Sequence, residues 1–450
     1  MVETVQKLKD VINDDNRYEI PHAQVADLQL KAANELFQHR KTAIKFLGHR
    51  AEEVGVTEIR GLEDLVGLLF AHTTYKSYPE PWLTEQKWPM LTKWVDTMST
   101  HRVTGVDFDG VNDVDDWIKR LETVGSYLSC SSGTTGKPAM LNASMADIER
   151  STKNIISSFS WSAGVKPERK YRLFGLAPVT DTVRNLKSSE VVQNTFGKPD
   201  AELFRYPVPP ITLGAVTSMV ALRKRVADGV AQPEEIAQFE ATSASRQAQV
   251  DAAVGISARA LVEARHDPLF IQGMWGTLYK VAEEVRNMGY SAKDFNPENM
   301  FFSAGGLKGA VLPPNYREFV FETFNLSPTR IGQHYSMQEL ATGMPRCKAG
   351  RYHLPPWLIC LLLDQNGDNL IDVRPGMGEV EGRAGFFDIS LDGRWNGVIS
   401  GDKIFITYDK CECGSHSPSI RDEITRYADL PGGDKITCAG TVDAYVKGLT

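Results

Sequence analysis

The feature that most constrains this chain is an eight-residue loop, Ser131-Ser132-Gly133-Thr134-Thr135-Gly136-Lys137-Pro138, immediately after the short strand expected at 126–131. Its glycines let the backbone turn tightly and bring N–H groups close to an anion. Its hydroxyls add donors and Lys137 adds a positive charge, a combination that suits a triphosphate. It is not a Walker A loop, because only two residues separate Gly133 from Gly136 and Pro138 follows the lysine where Ser or Thr would stand. A plain surface turn is the alternative, but a loop of this make-up directly after an apolar strand is poorly explained by it.

The pattern around the loop indicates an α/β fold. Residues 1–60 read as helical, and a second helical block is expected at 62–70, set off by Gly61. Trp82, Trp88 and Trp94 lie in a Pro-containing stretch that reads as irregular, surface or substrate-facing structure. A helix is expected at 115–121. Strands are expected at 171–177, 211–216 and 300–303, and helices at 233–264, 278–288 and 316–324. Strands alternating with helices imply a parallel sheet covered on both faces. From Cys347 the helical periodicity fades, and short strands with turns such as Asp392-Gly393 indicate a smaller β-rich subdomain. The expected divisions are a mainly helical region at 1–110, an α/β nucleotide- and acid-binding core at 111–346, a β-rich subdomain at 347–440 and a terminal segment at 441–450.

Composition narrows the functional classes. A net charge of −7 argues against nucleic acid as the main partner. No apolar run is long enough to span a bilayer, and the first seventeen residues have no signal core, so a cytoplasmic location with no membrane partner is expected. Six cysteines in 450 residues read as reduced thiols or metal ligands rather than a disulfide scaffold.

The loop resembles the phosphate-binding signature of the adenylate-forming superfamily, which includes acyl-CoA synthetases, luciferases and peptide-synthetase adenylation domains. With Asp147 following, it is similar to the phenylacetate–coenzyme A ligase-like branch and to acyl-protein synthetases. The likeness runs from about Tyr127 to the C-terminus. It implies the family's layered α/β large domain with a small β-rich subdomain. It also implies roles for further residues. Tyr335-Ser336-Met337-Gln338-Glu339 resembles the family's aromatic-to-glutamate motif, with Ser336 in place of glycine; Tyr335 would stack on adenine and Glu339 would hold Mg²⁺. Gly305-Gly306-Leu307-Lys308 resembles the turn that lies against adenine, a plain strand-to-helix turn being the alternative. Ser400-Gly401-Asp402 resembles the pair whose carboxylate accepts from the ribose hydroxyls.

Cys347, His353, Cys411 and Cys413 could close a Cys3His zinc tetrahedron, and some members of that branch carry a similar Cys/His pair followed by Cys-x-Cys-Gly. Reduced thiols beside a core histidine are the alternative, and His416 is a competing fourth ligand. Cys130, Cys360 and Cys438 read as small buried hydrophobes.

The segment Ala439 to Gly448 resembles the family's hinge, with Asp443 as the hinge acid but Thr441 where the family has a nucleotide-contacting arginine. Arg421 or Arg426 could compensate. The family's small C-terminal domain, with its catalytic lysine, has no counterpart before Thr450. Either the chain is part of a longer protein or it works without that domain, and turnover by these 450 residues alone is expected to be poor. The activity implied is that of an acid–thiol ligase: ATP-dependent conversion of a small carboxylic acid to acyl-AMP with release of pyrophosphate, then transfer to coenzyme A or an acyl-accepting protein thiol. Lys137 and Glu339 would carry the catalysis, with ATP held by residues 131–137, Gly305, Gly306, Tyr335, Ser336, Asp402 and Arg421. Phe174, Trp275, His334 and Met337 are candidate walls of the acid pocket, or equally core residues. The rival reading is a catalytically impaired nucleotide-binding regulatory or scaffold protein.

Overall fold

The computed structural model describes residues 3–130, 137–303, 311–434 and 436. The phosphate loop at 131–136, Gly305 and Gly306, and the hinge-like segment with Cys438, Thr441 and Asp443 lie outside the described residues. The chain divides into two compact units, 1–154 together with 336–450, and 155–335.

The 155–335 unit is built on parallel strands in the order Phe204–Arg205, Arg172–Leu176, Leu269–Gly273, Met300–Ser303 and Ile331–Tyr335. Successive side chains of a strand point to opposite faces, and the cores follow that alternation. Phe174, Leu176, Ile271 and Phe301 enter one core with Trp275 and Leu278 of the helix Trp275–Asn287. Leu173, Phe270 and Met300 enter another with Phe159 and Phe196. Phe174 and Trp275 are therefore core residues. The run at 211–216, expected as a strand, instead opens the helix Leu213–Ala227. Thr212 explains the difference: its hydroxyl accepts from the Ala215 N–H at 3.1 Å, an N-capping contact that outweighs the β-propensity of the residues around it.

The other unit holds a seven-stranded sheet with the path Arg351–His353, Ser419–Arg421, Gly397–Thr407, Val380–Asp388, Leu358–Leu363. Leu358–Leu363 is buried at every position, as expected of a strand with no polar face. Two short strands also pair with Gly397–Thr407: Thr425–Arg426, antiparallel, and Phe70–Ala71, parallel. N-terminal helices pack in the same unit; Gln29 of Ala26–Arg40 donates to the Pro356 carbonyl at 2.8 Å, and Ser417 N–H donates to the Tyr18 carbonyl at 3.0 Å.

The tryptophan stretch is not irregular. Trp82 lies in the helix Glu80–Thr84, Trp88 and Trp94 in Trp88–Met98, and all three are buried. Pro81 and Pro89 sit in the first turns, where the missing N–H costs nothing and the fixed φ favours the helix. The prolines mark helix starts rather than loops. Trp94 and Trp117 satisfy their indole N–H groups on the Ser77 and Thr92 hydroxyls, at 3.1 and 2.9 Å.

Candidate functional site

The hairpin Tyr127–Cys130 with Met140–Ala143 fixes both ends of the phosphate loop, because Cys130 pairs with Met140 in register. Lys137 follows the loop. Its ammonium donates to the Tyr78 carbonyl at 2.5 Å and lies 5.0 Å from the Tyr78 ring centroid, while the Tyr78 hydroxyl donates to the Pro138 carbonyl at 2.9 Å. Asp147 anchors the scaffold behind this hairpin. Its carboxylate accepts from the N–H groups of Ser144, Asp392 and Gly393 at 2.9, 2.7 and 2.8 Å. A side chain at Gly393 would meet the Ser144 nitrogen at 2.6 Å, so this turn requires glycine.

Glu339 is half-buried. Burial pushes its carboxyl above the usual range, the Asp402 charge adds to that push, and Arg394 and Lys76 pull against it. A carboxylate held in this way has an unmet demand for positive charge, which a divalent cation beside phosphates would supply. Arg394, 2% exposed, donates to the carbonyls of Asn142 and Gln338 at 2.8 and 2.9 Å. It thereby ties the hairpin strand to the turn carrying Glu339. Tyr75 is buried beside this pair, and burial raises its phenol to about 12.

Asp402 lies on Gly397–Thr407, opposite Arg426, whose Nε is 3.9 Å from its carboxylate. Of the two arginines weighed as nucleotide contacts, Arg426 is the neighbour of Asp402. Arg421 pairs with Glu379 at 3.2 Å and lies 3.8 Å from the Phe405 ring centroid. The parallel pairing of Phe70 and Ala71 with Val398 and Ile399 brings the 3-10 turn His72–Lys76 alongside Ser400-Gly401-Asp402. A Cβ on Gly401 would stand 3.4 Å from the His72 ring. Under this strand Arg383, fully buried, donates to the Ser400 carbonyl at 2.9 Å and to Asp434 at 2.8 Å, and covers the Tyr427 ring at 4.0 Å.

Lys137 and Gly401, the neighbour of Asp402, thus border one segment, Phe70–Tyr78, at Tyr78 and His72. Arg383, Arg394 and this segment escaped the sequence reading. One signal was present: Arg383 stands at the head of the run Ala384–Ile389, in which Asp388 is the only other charge, and an arginine there must be paired if it is buried. Tyr335 closes the last parallel strand of the 155–335 unit and is buried. In that unit His334 stacks on Phe159, with centroids 5.8 Å apart, and its Nε2 meets the Ser158 hydroxyl at 2.6 Å. Ser336 is exposed and Met337 half-buried.

Cys347, His353, Cys411 and Cys413 place their donor atoms within 4.8 Å of one another. The Cys347 and Cys411 sulfurs are 3.9 Å apart, and Cys413 Sγ is 3.5 Å from His353 Nε2. A zinc tetrahedron with bonds of about 2.3 Å to sulfur has S···S edges of about 3.8 Å, so the donors fit that ion. His353 Nδ1 meets the Ser417 and Ser415 hydroxyls at 2.9 and 3.2 Å, which leaves Nε2 for the metal. Turns at Gly350 and Gly414, both at positive φ, present the cysteines. His416 is exposed and is not in the cluster. Cys360 is buried on Leu358–Leu363, where burial raises its thiol.

No protein-family model matches the chain, and no curated protein matches it. Solved structures do. An open conformation of 2-hydroxyisobutyryl-CoA ligase, in complex with 2-HIB-AMP and CoA, aligns over 93% of this chain and 79% of that one, with a TM-score of 0.53 and 13% identity. The acyl acid amido synthetase AtGH3.15, in complex with 2,4-DB, aligns over 94% and 71%, with a TM-score of 0.46 and 9% identity. An acyl-CoA synthetase (AMP-forming)/AMP-acid ligase II-like protein from Dyadobacter fermentans aligns over 80% and 75%, with a TM-score of 0.35 and 10% identity. The first alignment shows a shared fold. Among the described residues, no helix is long and apolar enough to cross a membrane.

Proposed function

We propose that this chain, which has the fold of the adenylate-forming enzymes, activates a small carboxylic acid as its acyl adenylate. The observation that carries the reading is that Lys137 and Gly401, the neighbour of Asp402, meet the two ends of one segment, at Tyr78 and His72, while Arg394 ties the turn carrying Glu339 to the strand that follows the phosphate loop. A substrate carboxylate oxygen attacks the α-phosphorus of ATP, the bond to the β-phosphate breaks, and pyrophosphate leaves with the electron pair. Lys137 and the loop donors at 131–136 hold the phosphates. Asp402 accepts from the ribose hydroxyls, with Arg426 beside it. Tyr335 is the proposed adenine platform, and Gly305, Gly306 and Ser336 are proposed as small-residue contacts of the nucleotide. Glu339 holds Mg²⁺, which would offset the charge developing on the phosphates. Positioning does most of the work, since the carboxylate is already a nucleophile.

The acyl group then passes to coenzyme A or to a protein thiol, the acid–thiol ligase outcome. Zinc at Cys347, His353, Cys411 and Cys413 has a structural role, since four protein ligands leave no open position for substrate.

The test is carboxylate-dependent ATP–pyrophosphate exchange across a panel of aryl and aliphatic acids. Exchange that appears with some acids and not others supports the reading. Mg·ATP binding with no exchange for any acid would replace it with a nucleotide-binding regulatory or scaffold role.

A further inference from the structure

We propose that Asp434 is a positioning residue of the nucleotide site: paired with Arg383, it fixes the β-bulge that presents Asp402. The proposal rests on the adenylation reading, in which Asp402 accepts from the ribose hydroxyls. It adds to that reading a residue outside every nucleotide motif.

Val380–Asp388 and Gly397–Thr407 pair antiparallel, with Arg383 opposite Lys403 and Gly385 opposite Ile399. One residue, Ala384, therefore stands against three, Ser400, Gly401 and Asp402. Such a bulge bends the strand, re-aims its side chains and takes backbone groups out of the ladder. Those groups need other partners. The Ser400 carbonyl accepts from Arg383 Nη1 at 2.9 Å, and the Asp402 N–H donates to the Ser400 hydroxyl at 3.1 Å. Through Nε, Arg383 also donates to the Gln365 carbonyl at 2.9 Å.

Arg383 is fully buried, so its charge must be met inside the protein. Asp434 meets it: Nη2 donates to Oδ1 at 2.8 Å and Nη1 to Oδ2 at 3.4 Å. The Tyr427 ring covers the guanidinium with its centroid 4.0 Å away. Asp434 is itself held in place, because its Oδ1 accepts from the Ile436 N–H at 3.0 Å. It also touches the bulge directly. A Cβ on Gly401 would stand 3.2 Å from Asp434 Oδ2 and 3.4 Å from the His72 ring, and His72 Nε2 lies 3.8 Å from the same oxygen. The first residue of the bulge is thus bonded to the guanidinium that Asp434 orients. The second is seated against the Asp434 carboxylate, and the third is Asp402.

Two substitutions disturb this arrangement from opposite sides. Asp434→Asn keeps size and one acceptor but removes the charge that orients Arg383. Gly401→Ala keeps every charge and pushes on the same contact; Gly401 is not at positive φ, so its backbone accepts alanine. Isothermal calorimetry is run with Mg·ATP, Mg·2′-deoxy-ATP and inorganic pyrophosphate with Mg²⁺. The parent is expected to prefer ATP over 2′-deoxy-ATP by about 10-fold, the size of one hydrogen bond to a charged group. Both variants should lose most of that preference by weakening ATP, and neither should change pyrophosphate affinity. In an Asp402→Asn background, adding Asp434→Asn should weaken ATP no further. An undiminished preference in both variants overturns the proposal and leaves the adenylation reading intact. Parallel losses for pyrophosphate, or a further loss of ATP affinity in the Asp402→Asn background, overturn it in favour of a general packing role. A parent with no preference removes the ribose role of Asp402 and this proposal with it, while pyrophosphate exchange decides the adenylation reading separately. A parent that binds no nucleotide removes both.

Discussion

In the 155–335 unit, none of the fully buried residues among those described is Asp, Glu, Lys or Arg; in the unit formed by 1–154 and 336–450, Arg40, Asp147, Arg383, Asp388 and Arg394 are all buried. The first interior is assembled by alternation along parallel strands and needs only hydrocarbon and aromatic complementarity. The second joins segments hundreds of residues apart, and buried charges make many of the joins. Arg40 donates to the Leu391 and Arg394 carbonyls, and Arg394 to Asn142 and Gln338. Asp388 accepts from the Ala341 and Thr342 N–H groups at 2.9 and 3.0 Å. Burying a charge is costly unless it is fully paired, so such joins are directional: they hold one arrangement and penalise others. The proposed catalytic residues lie among them, which ties the geometry of the site to the charged interior.

The largest effect should come from breaking the zinc cluster. Freshly purified protein is expected to carry about one zinc per chain, and Cys411→Ser should lose it, because structural zinc contributes its binding free energy to folding. Hydrogen exchange should rise in 347–421 while 155–335 keeps its protection. Protein with no zinc and freely reactive thiols at Cys347, Cys411 and Cys413 would remove the metal from the account. Next is the charged interior itself. Arg383→Met leaves Asp434 without its guanidinium partner and the Ser400 and Gln365 carbonyls without their donor, at a cost of about 3–5 kcal/mol. Ile271→Val, a core trim in the other unit, should cost about 0.5–1.5 kcal/mol. Urea unfolding of both variants decides it; equal losses would erase the contrast.

Glu339→Gln and Lys137→Ala should act on chemistry rather than on stability. Each removes one charge-assisted contact, expected to cost about 1.5–3 kcal/mol in exchange, with no comparable fall in urea midpoint. Parent-level exchange in both variants would dissolve the site assignment.

How much of this was legible depended on the separation of the partners in sequence. Strand alternation at 171–177 and 300–303, the helix at 233–264 and the Cys/His spacing all have short-range signatures. The prolines at 81 and 89 and the Thr212 cap were equally local but were read for the wrong element, because Pro and Thr serve both loops and helix starts. Arg394 and Arg383 carry no local signature. Their partners include Asn142, 252 residues away, and Asp434, 51 away, so their roles exist only once the chain has folded. Tyr78 was invisible for the same reason: its carbonyl meets Lys137, 59 residues away.

The smallest expected effect probes the one histidine buried in the apolar unit's aromatic cluster. His334 is enclosed by Phe159 and Phe302, and burial lowers its pKa to about 3. The ordinary value is near 6.5, so between pH 6.5 and about 3 the unfolded chain binds a proton that the folded chain refuses. The stability that neutral His334 allows is fully present above pH 6.5 and is lost progressively as pH falls, at up to about 1.4 kcal/mol per pH unit. His334→Phe removes the titration and keeps a ring against Phe159. Ser158 loses that partner but still donates to the Ile155 carbonyl at 2.7 Å, so the cost at neutral pH is confined to one hydrogen bond. Urea midpoints at pH 7.5 and 5.5 are the measurement. The parent should lose more stability across that interval than the variant; parallel losses would mean that the acid sensitivity resides in groups other than His334.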